Sequence, residues 1–359
     1  MIRILDWYIL KRYLVTLLLF ILLFIPIAIL ANLAEKIDNI FENNLSFWEV
    51  FIFYKDFSIH FLYILFPFLL FIAVIFFTSK LANDTEIIAI LSSGVSFNRF
   101  LRPYIIGATT ISLIALLAGM FTVPKASKNY REFDEVKLRG RKEQQNTYNL
   151  YRQLNDNDYI YAHAFYPSKN KASKFTLEHF ENDKLIYKIS ADELIYKEKD
   201  TMHSLKKFIM RKIGEKDDII IKKNKLDTLL NIDIDRLTPV GYVAETLDYF
   251  ELKKFMKEEK RRGSPNMNRY RMIAYKRWSI PIAAYILTII AVAVSSMKRR
   301  GGMGVNLALG FTVAFGFVFI DRVFSTLAIQ SDFSPLLAVW LPNIFFAGLA
   351  LYLLARARR

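Results

Sequence analysis

The chain alternates between long apolar runs and polar segments. Six runs, at 15–33, 59–78, 101–123, 280–297, 305–329 and 335–354, each approach the ~20 apolar residues that a bilayer-spanning α-helix needs. Three precede and three follow a polar insert at about 124–277. Within it, from 147 to about 235, the pattern switches to short alternating segments: DYIYAHAF, SKFTLEHF, KLIYKISADELIY, KKFIMRKI and DIIIKKN. Strands at roughly ten-residue spacing, separated by Asp, Asn, Lys and Gly clusters, predict an antiparallel sandwich or jelly roll. Helical periodicity returns at 252–262, breaks at 263–266, and runs through NRYRMIAYKRWSIPI into the fourth span. The expected fold is therefore an α-helical polytopic membrane protein with six transmembrane helices (3+3) and an inserted antiparallel β jelly-roll-like domain. Its divisions fall at 1–123, 124–277 and 278–359. The aromatic stretch 47–58 reads as half-embedded in the interface ahead of the second span. Pro103 reads as the start of the third span, which runs out to Pro124.

Composition strengthens the membrane reading, since 53% hydrophobic and 15% aromatic residues exceed an ordinary soluble mix. The first apolar run is too long for a signal-peptide core and flows into the charged AEKID segment, so it reads as a retained helix. Short loops on one side hold Arg3, Lys11, Arg12, Lys80, Arg99, Arg102, Lys298, Arg299, Arg300, Arg356, Arg358 and Arg359. The other side carries Lys36 and Lys55, with Arg322 near the end of a span, against Glu35, Asp38, Glu42, Glu49, Asp56 and Asp332. The positive-inside rule then places both termini in the cytoplasm and the insert outside. A formal charge of +15 is no nucleic-acid signal here, because the translocated insert is itself basic. No cysteine occurs, so the insert relies on its own core, and thiolate chemistry is excluded.

The polar interruption NDTEIIAILSSGVSFNRFLRP at 83–103 is too short to span and carries a helix of about two to three turns, at about 84–93. On its wheel Ile87, Ile88, Ile90 and Leu91 share one arc, and Thr85, Glu86, Ala89, Ser92 and Ser93 the other; Gly94 follows as a C-cap. A carboxylate among small residues suits a grip on a separate motor protein. Asn83-x-x-Glu86 equally fits a capping-box-like start in which Glu86 serves backbone donors. Catalytic motifs are missing. No phosphate-binding G-x-x-x-x-G-K-[ST] loop occurs, and Gly301, Gly302 and Gly304 lack the following Lys-Ser/Thr. His60, His163, His179 and His203 have no zinc-protease spacing, and no metal site is expected. Ser-x-x-Lys at Ser168/Lys171, Ser204/Lys207 and Ser295/Lys298 is what a lysine-rich chain yields by chance.

Five fragments in this order and topology carry a family resemblance over essentially the whole chain: LDWYILK, TEIIAILSSGVS, VPKASKNYRE, the basic lead into the fourth span, and MGVNLALGFTVAFGFVFIDRVF. The chain resembles the lipopolysaccharide-export permeases of the LptF/LptG (YjgP/YjgQ) family, with LDWYILK, KNYR and MGV closer to the G-type half. The resemblance implies a non-enzymatic permease subunit of an ABC exporter in the inner membrane of a Gram-negative bacterium. Its implied partners are a dimeric cytoplasmic ATPase, a homologous second permease, a membrane-anchored periplasmic jelly-roll bridge, and lipopolysaccharide. ATP is then bound by the ATPase, with no cofactor in this chain. The resemblance assigns ATPase coupling to Glu86, Ile87, Leu91, Ser93 and Gly94.

Lys36, Lys128, Arg131 and Arg322 come from the first, third and fifth spans, and the topology puts all four at similar depth at the outer face. Cations there suit phosphates and acidic sugars through charge-assisted hydrogen bonds. The plainer alternative is snorkelling that anchors helix ends. Lys128 and Arg131 align with a basic pair that binds substrate in G-type relatives, and Glu35 falls where the family places an acidic residue at the end of the first span. Asp321 and Arg322, as neighbours, point about 100° apart. Gly310, Ala314 and Gly316 suit close helix packing. Competing functional readings are a mechanotransmitting ABC permease without a lipid cavity and a membrane-anchored periplasmic sensor or scaffold.

Overall fold

Every apolar run becomes a helix or the centre of one in the computed structural model. It describes residues 4–138, 147–166, 169–182, 184–197, 202–214, 217–230, 242–264, 266–296, 302–331 and 333–357. The helices are α1 (Ile4–Glu42), α2 (Phe47–Asn83), α3 (Glu86–Ser92), α4 (Phe97–Leu117), α5 (Val123–Phe133), α6 (Val243–Thr246), α7 (Tyr249–Arg261), α8 (Met267–Ser295), α9 (Gly302–Gln330) and α10 (Pro335–Ala357). Six helical stretches are long and apolar enough to cross a membrane, the third being α4 with its continuation. Arg3, Lys298, Arg299, Arg300, Arg358, Arg359 and Asp332 of the orientation argument lie outside the described residues, as do Ser168, Gly301 and the stretches 139–146 and 231–241 of the insert.

Three boundaries differ from expectation for local reasons. The stretch 47–58 is the first third of α2, because Ser46 and Glu49 form a capping box that starts the helix there. Ser46 Oγ accepts from the Glu49 N–H, and the Glu49 carboxylate accepts from the Ser46 N–H. At the third span, Ser96 caps the helix by accepting from the Arg99 N–H, so α4 begins six residues before Pro103, which lies inside it. A π turn over Ala118–Thr122 then carries the chain past Pro124, and helix continues to Phe133. Such a turn re-pairs backbone groups next to a residue that lacks an N–H.

The chain divides into two compact units: residues 1–133, 244–250 and 268–359, and residues 134–243 and 251–267. In the helical unit, α2 and α8 form the buried centre, with Leu70, Phe71, Ile75, Ala284, Leu287 and Ile290 inside. α1 and α9 leave Leu18, Leu22, Leu30, Phe315 and Phe319 uncovered. Gly310 of α9 meets α2 so closely that an added Cβ would stand 2.2 Å from Ile75 Cδ1. Ala314, one turn on, is buried as well.

The second unit holds a six-stranded antiparallel sheet: β1 (Thr147–Gln153), β2 (Asp158–Tyr166), β3 (Lys171–Glu181), β4 (Lys184–Lys197), β5 (Met202–Lys212) and β6 (Ile219–Thr228). The described strands pair in chain order, β1 to β6, as a meander. Leu150, Ile160, Phe175, Leu177, Leu194 and Leu205 build its core. The inward set changes parity along the strands: Ile160, Ala162 and Ala164 but then Phe165 on β2, Ala172 but then Phe175 on β3, Leu205 but then Phe208 on β5. Asn149, Lys174 and Lys207 have φ of 51°, 47° and 50°, in the left-handed region, and the register aligns them on alternate strands across the sheet. The result is a crease along which the sheet turns its apolar side chains. Cross-strand pairs tie the polar side: Glu193 accepts from Lys171 and Lys206, which hold its carboxyl down to about 2.

Candidate functional site

At the end of the helical unit where α2 and α8 begin and α5 and α9 finish, the helices leave a cleft of about 460 Å³. Helical spacing aims one face of each helix into it: His60 and Ile64 from α2, Ser127 and Arg131 from α5, Arg269, Ile273, Lys276, Arg277 and Ile280 from α8, and Arg322, Ser325, Thr326 and Ile329 from α9. Five lining cations, Arg131, Arg269, Lys276, Arg277 and Arg322, face a single lining carboxylate, Glu245 of α6. Apolar Val123, Met272, Ile273 and Ile280 complete the wall.

The cations are held in different ways. Arg131 ion-pairs with Glu245. Lys276 donates to Asp321 at 2.8 Å, so Asp321 turns to α8 while its neighbour Arg322 lines the cleft. Buried Arg277 donates to the backbone carbonyls of Ala244 (3.2 Å) and Leu247 (2.5 Å), tying down the segment that carries Glu245. Arg269 and Arg322 make no ion pair among the described residues. His60 shares a 2.6 Å hydrogen bond with Ser127 and stacks on Tyr130 at 5.6 Å. Concave shape, excess positive charge and an apolar lower wall suit an amphiphile with an anionic head group.

Of the nominated cations, Arg131 and Arg322 meet in this cleft. Lys36 does not line it. Its side chain is buried, with Nζ 5.2 Å from the Phe53 ring centroid and 5.4 Å from that of Tyr130, a cation–π clamp that fixes the end of α1 to α2 and α5. Tyr130 is also the ring on which His60 stacks, so Lys36 stands one aromatic layer behind the cleft wall. Lys128 is exposed on α5, 3.9 Å from Glu132. Glu35 is exposed on α1. Sequence reasoning passed over Arg269, Lys276, Arg277, His60 and Glu245. The signal for the α8 residues was present: a dense basic run at the start of a span, on the side that the positive-inside rule leaves poor in cations.

The other nominated set lies at the opposite end of the helical unit. α3 follows Thr85, whose φ is 62° and whose side chain makes no cap. The Glu86 carboxylate turns instead to α1, accepting from Tyr8 Oη at 2.7 Å and lying 3.6 Å from Arg12 Nη1. Arg12 in turn covers the Tyr8 ring at 4.4 Å. Ile87 is buried and roots the helix in the core, with Ile90 and Leu91 packed beside it. Ile88, expected on that inner arc, is exposed, because a seven-residue helix lying on the surface buries only a narrow stripe. Ser93 donates to the Ile90 carbonyl at 2.7 Å, and Gly94 takes φ of 89°, a conformation that favours glycine. Close by, Arg99 grips buried Asp6 with two hydrogen bonds of 2.5 and 2.7 Å, pinning the start of α4 to the start of α1. The helix therefore shows Ile88, Ala89, Ser92 and Ser93 outward and is tied to α1 through Glu86.

Comparisons with known proteins agree with this architecture. The sequence profile of the family described as lipopolysaccharide export system permease LptF/LptG matches residues 7–356. Among curated proteins, the lipopolysaccharide export system permease protein LptG of Escherichia coli strain K12 is 24% identical over 127 residues, and that of Escherichia coli O6:H1 is equally similar. Those matches span about a third of the length of the curated relatives, 35% of each chain.

Proposed function

The chain belongs to the lipopolysaccharide export system permease LptF/LptG family, and from that premise we propose that it is the membrane permease subunit of an ABC exporter of lipopolysaccharide. The observation that carries the reading is the cleft, in which five cations and an apolar wall await an anionic amphiphile. Arg322 and Arg269 are the first contacts for head-group phosphates, and the isoleucines below them receive the start of the acyl chains. This end faces the periplasm and α3 faces the cytoplasm, an orientation supported by Lys11, Arg12, Lys80 and Arg102 around α3. The chain has no phosphate loop, so energy comes from a dimeric cytoplasmic ATPase that receives α3. The uncovered faces of α1 and α9 are the surfaces on which a homologous second permease closes the lipid path. The creased sheet passes the lipid on to a periplasmic jelly-roll bridge.

Affinity purification from membranes in mild detergent tests this reading. An ATPase, a second permease and lipopolysaccharide are expected to accompany the chain. Glu86→Ala frees Tyr8 and Arg12 from α3, and ATPase recovery is expected to fall by about fivefold, the scale of one partly exposed ionic contact, while bound lipid stays. Full ATPase recovery with full export would remove Glu86 from the coupling. A chain that brings down neither ATPase nor glycolipid would favour the periplasmic sensor or scaffold.

A further inference from the structure

Glu245 is chemically out of place in the cleft. It is the single carboxylate among lining residues that include five cations, and it stands on a one-turn helix, α6, rather than on a spanning one. Its oxygen meets Arg131 as an ionic ligand would. Arg277 holds the same segment by the carbonyls of Ala244 and Leu247, and Ala244 is fully buried. The segment is then laid against the spanning helices by aromatic contacts, Tyr249 with Trp278 and Phe250 with Phe121, each at 6.4 Å between ring centroids. The backbone of the strap is anchored independently of the Glu245 side chain, which itself remains partly exposed.

We infer that Glu245 is a resident counter-anion that occupies the Arg131 subsite of the empty cleft and is displaced by a phosphate of the incoming head group. The inference rests on the head-group reading of the cleft. A phosphate offers a guanidinium more charge and more acceptor oxygens than a carboxylate does, so it wins the exchange at Arg131. A neutral sugar offers hydroxyl oxygens but no charge, and Glu245 stays in place. The side chain thus sets a threshold of negative charge for entry. Its departure also removes one of the ties on the strap, so loading is felt by residues 244–250. Differential affinity for the latched and unlatched states is all that such a filter requires.

The test uses the full chain with its co-purifying partners in detergent, and two probes: a phosphorylated lipopolysaccharide glycolipid and the same glycolipid with its phosphates removed. Glu245→Gln keeps the size of the side chain and removes the competing charge. It is expected to tighten binding of the phosphorylated probe by about three- to fivefold, the scale of one half-exposed ion pair, and to leave the dephosphorylated probe unchanged. In an Arg131→Ala background the same substitution is expected to change nothing. A second readout leaves Glu245 intact. The chain has no cysteine, so a Thr246→Cys variant carries a unique thiol, and its maleimide labelling is expected to quicken when the phosphorylated probe is added. Equal or weaker binding by Glu245→Gln, or labelling indifferent to the probe, overturns the counter-anion role while a phosphate preference in the parent chain still supports the cleft. No phosphate preference in the parent chain overturns both.

Discussion

Replacing Glu259 by Ala is expected to destabilise the β-sheet unit by about 3–5 kcal/mol, the usual cost of leaving a buried charge without its partner. Glu259 on α7 is fully buried and lies 3.7 Å from Arg152 of β1, itself almost completely buried, and 3.3 Å from Arg262. Removing the carboxylate takes a buried counter-charge away from Arg152, which has almost no exposure of its own, whereas Arg262 keeps Glu258 within 4.0 Å. Urea unfolding of the purified chain, followed by proteolysis between 147 and 228, reads the loss. The control is a paired Glu259→Leu, Arg152→Met variant. An apolar pair of similar volume needs no ionic compensation, so it is expected to recover most of the lost stability. If the single and paired variants unfold alike, α7 is held by something other than charge.

Arg277→Ala is expected to cost the helical unit about 3 kcal/mol, the scale of two charge-assisted hydrogen bonds lost together with the satisfaction of their acceptors. The guanidinium is buried and serves the carbonyls of Ala244 and Leu247. Without it those carbonyls lose this donor, and the strap that bears Glu245 loses a backbone anchor. Thermal unfolding in detergent is expected to begin earlier, and protease is expected to cut between 244 and 250. Arg277→Lys restores one donor and is expected to recover part of the stability. A strap that stays protected in Arg277→Ala would assign its anchoring to the Tyr249 and Phe250 ring contacts instead.

The six spans were legible because uninterrupted apolar runs of membrane length have few other uses. The true start of α2 was legible too, since Ser46-x-x-Glu49 spells a capping box, but the aromatic residues behind it look equally at home in an interface. The strands were found as short segments between polar clusters, with a clear period of two in β2 from Ile160 to Ala164, although β6 shows no such alternation. Their crease was hidden. It depends on left-handed Asn149, Lys174 and Lys207, residues that announce no such backbone in the way glycine does.

In the cleft, Arg131 and Arg322 were reachable from sequence because they stand at span ends on the side poor in cations. Arg269, Lys276 and Arg277 were read only as the flank of a span, and their convergence needs the helix packing. Glu245 gave no signal at all, since its meaning lies in a contact 114 residues away. Lys36 shows the converse. Its charge invites a ligand-binding reading, whereas its ammonium is clasped by Phe53 and Tyr130, which the sequence places in other elements. At α3 the Asn83-x-x-Glu86 spacing suggested a cap, but the carboxylate found a phenol and a guanidinium on α1, stronger partners than a single backbone donor.

The central claim is that the cationic cleft receives the lipopolysaccharide head group, and site-specific photocrosslinking in living cells tests it most directly. A photoreactive residue in place of Met272, a cleft-lining position without charge, is expected to capture lipopolysaccharide. The same residue at Ile344, exposed on α10 and away from the cleft, is expected to capture little or none. Replacing Arg131 and Arg322 together by Ala is expected to reduce the Met272 adduct by about tenfold or more, the loss of two charge-assisted contacts. No lipopolysaccharide adduct at Met272, or an adduct undiminished without the two arginines, would contradict the account.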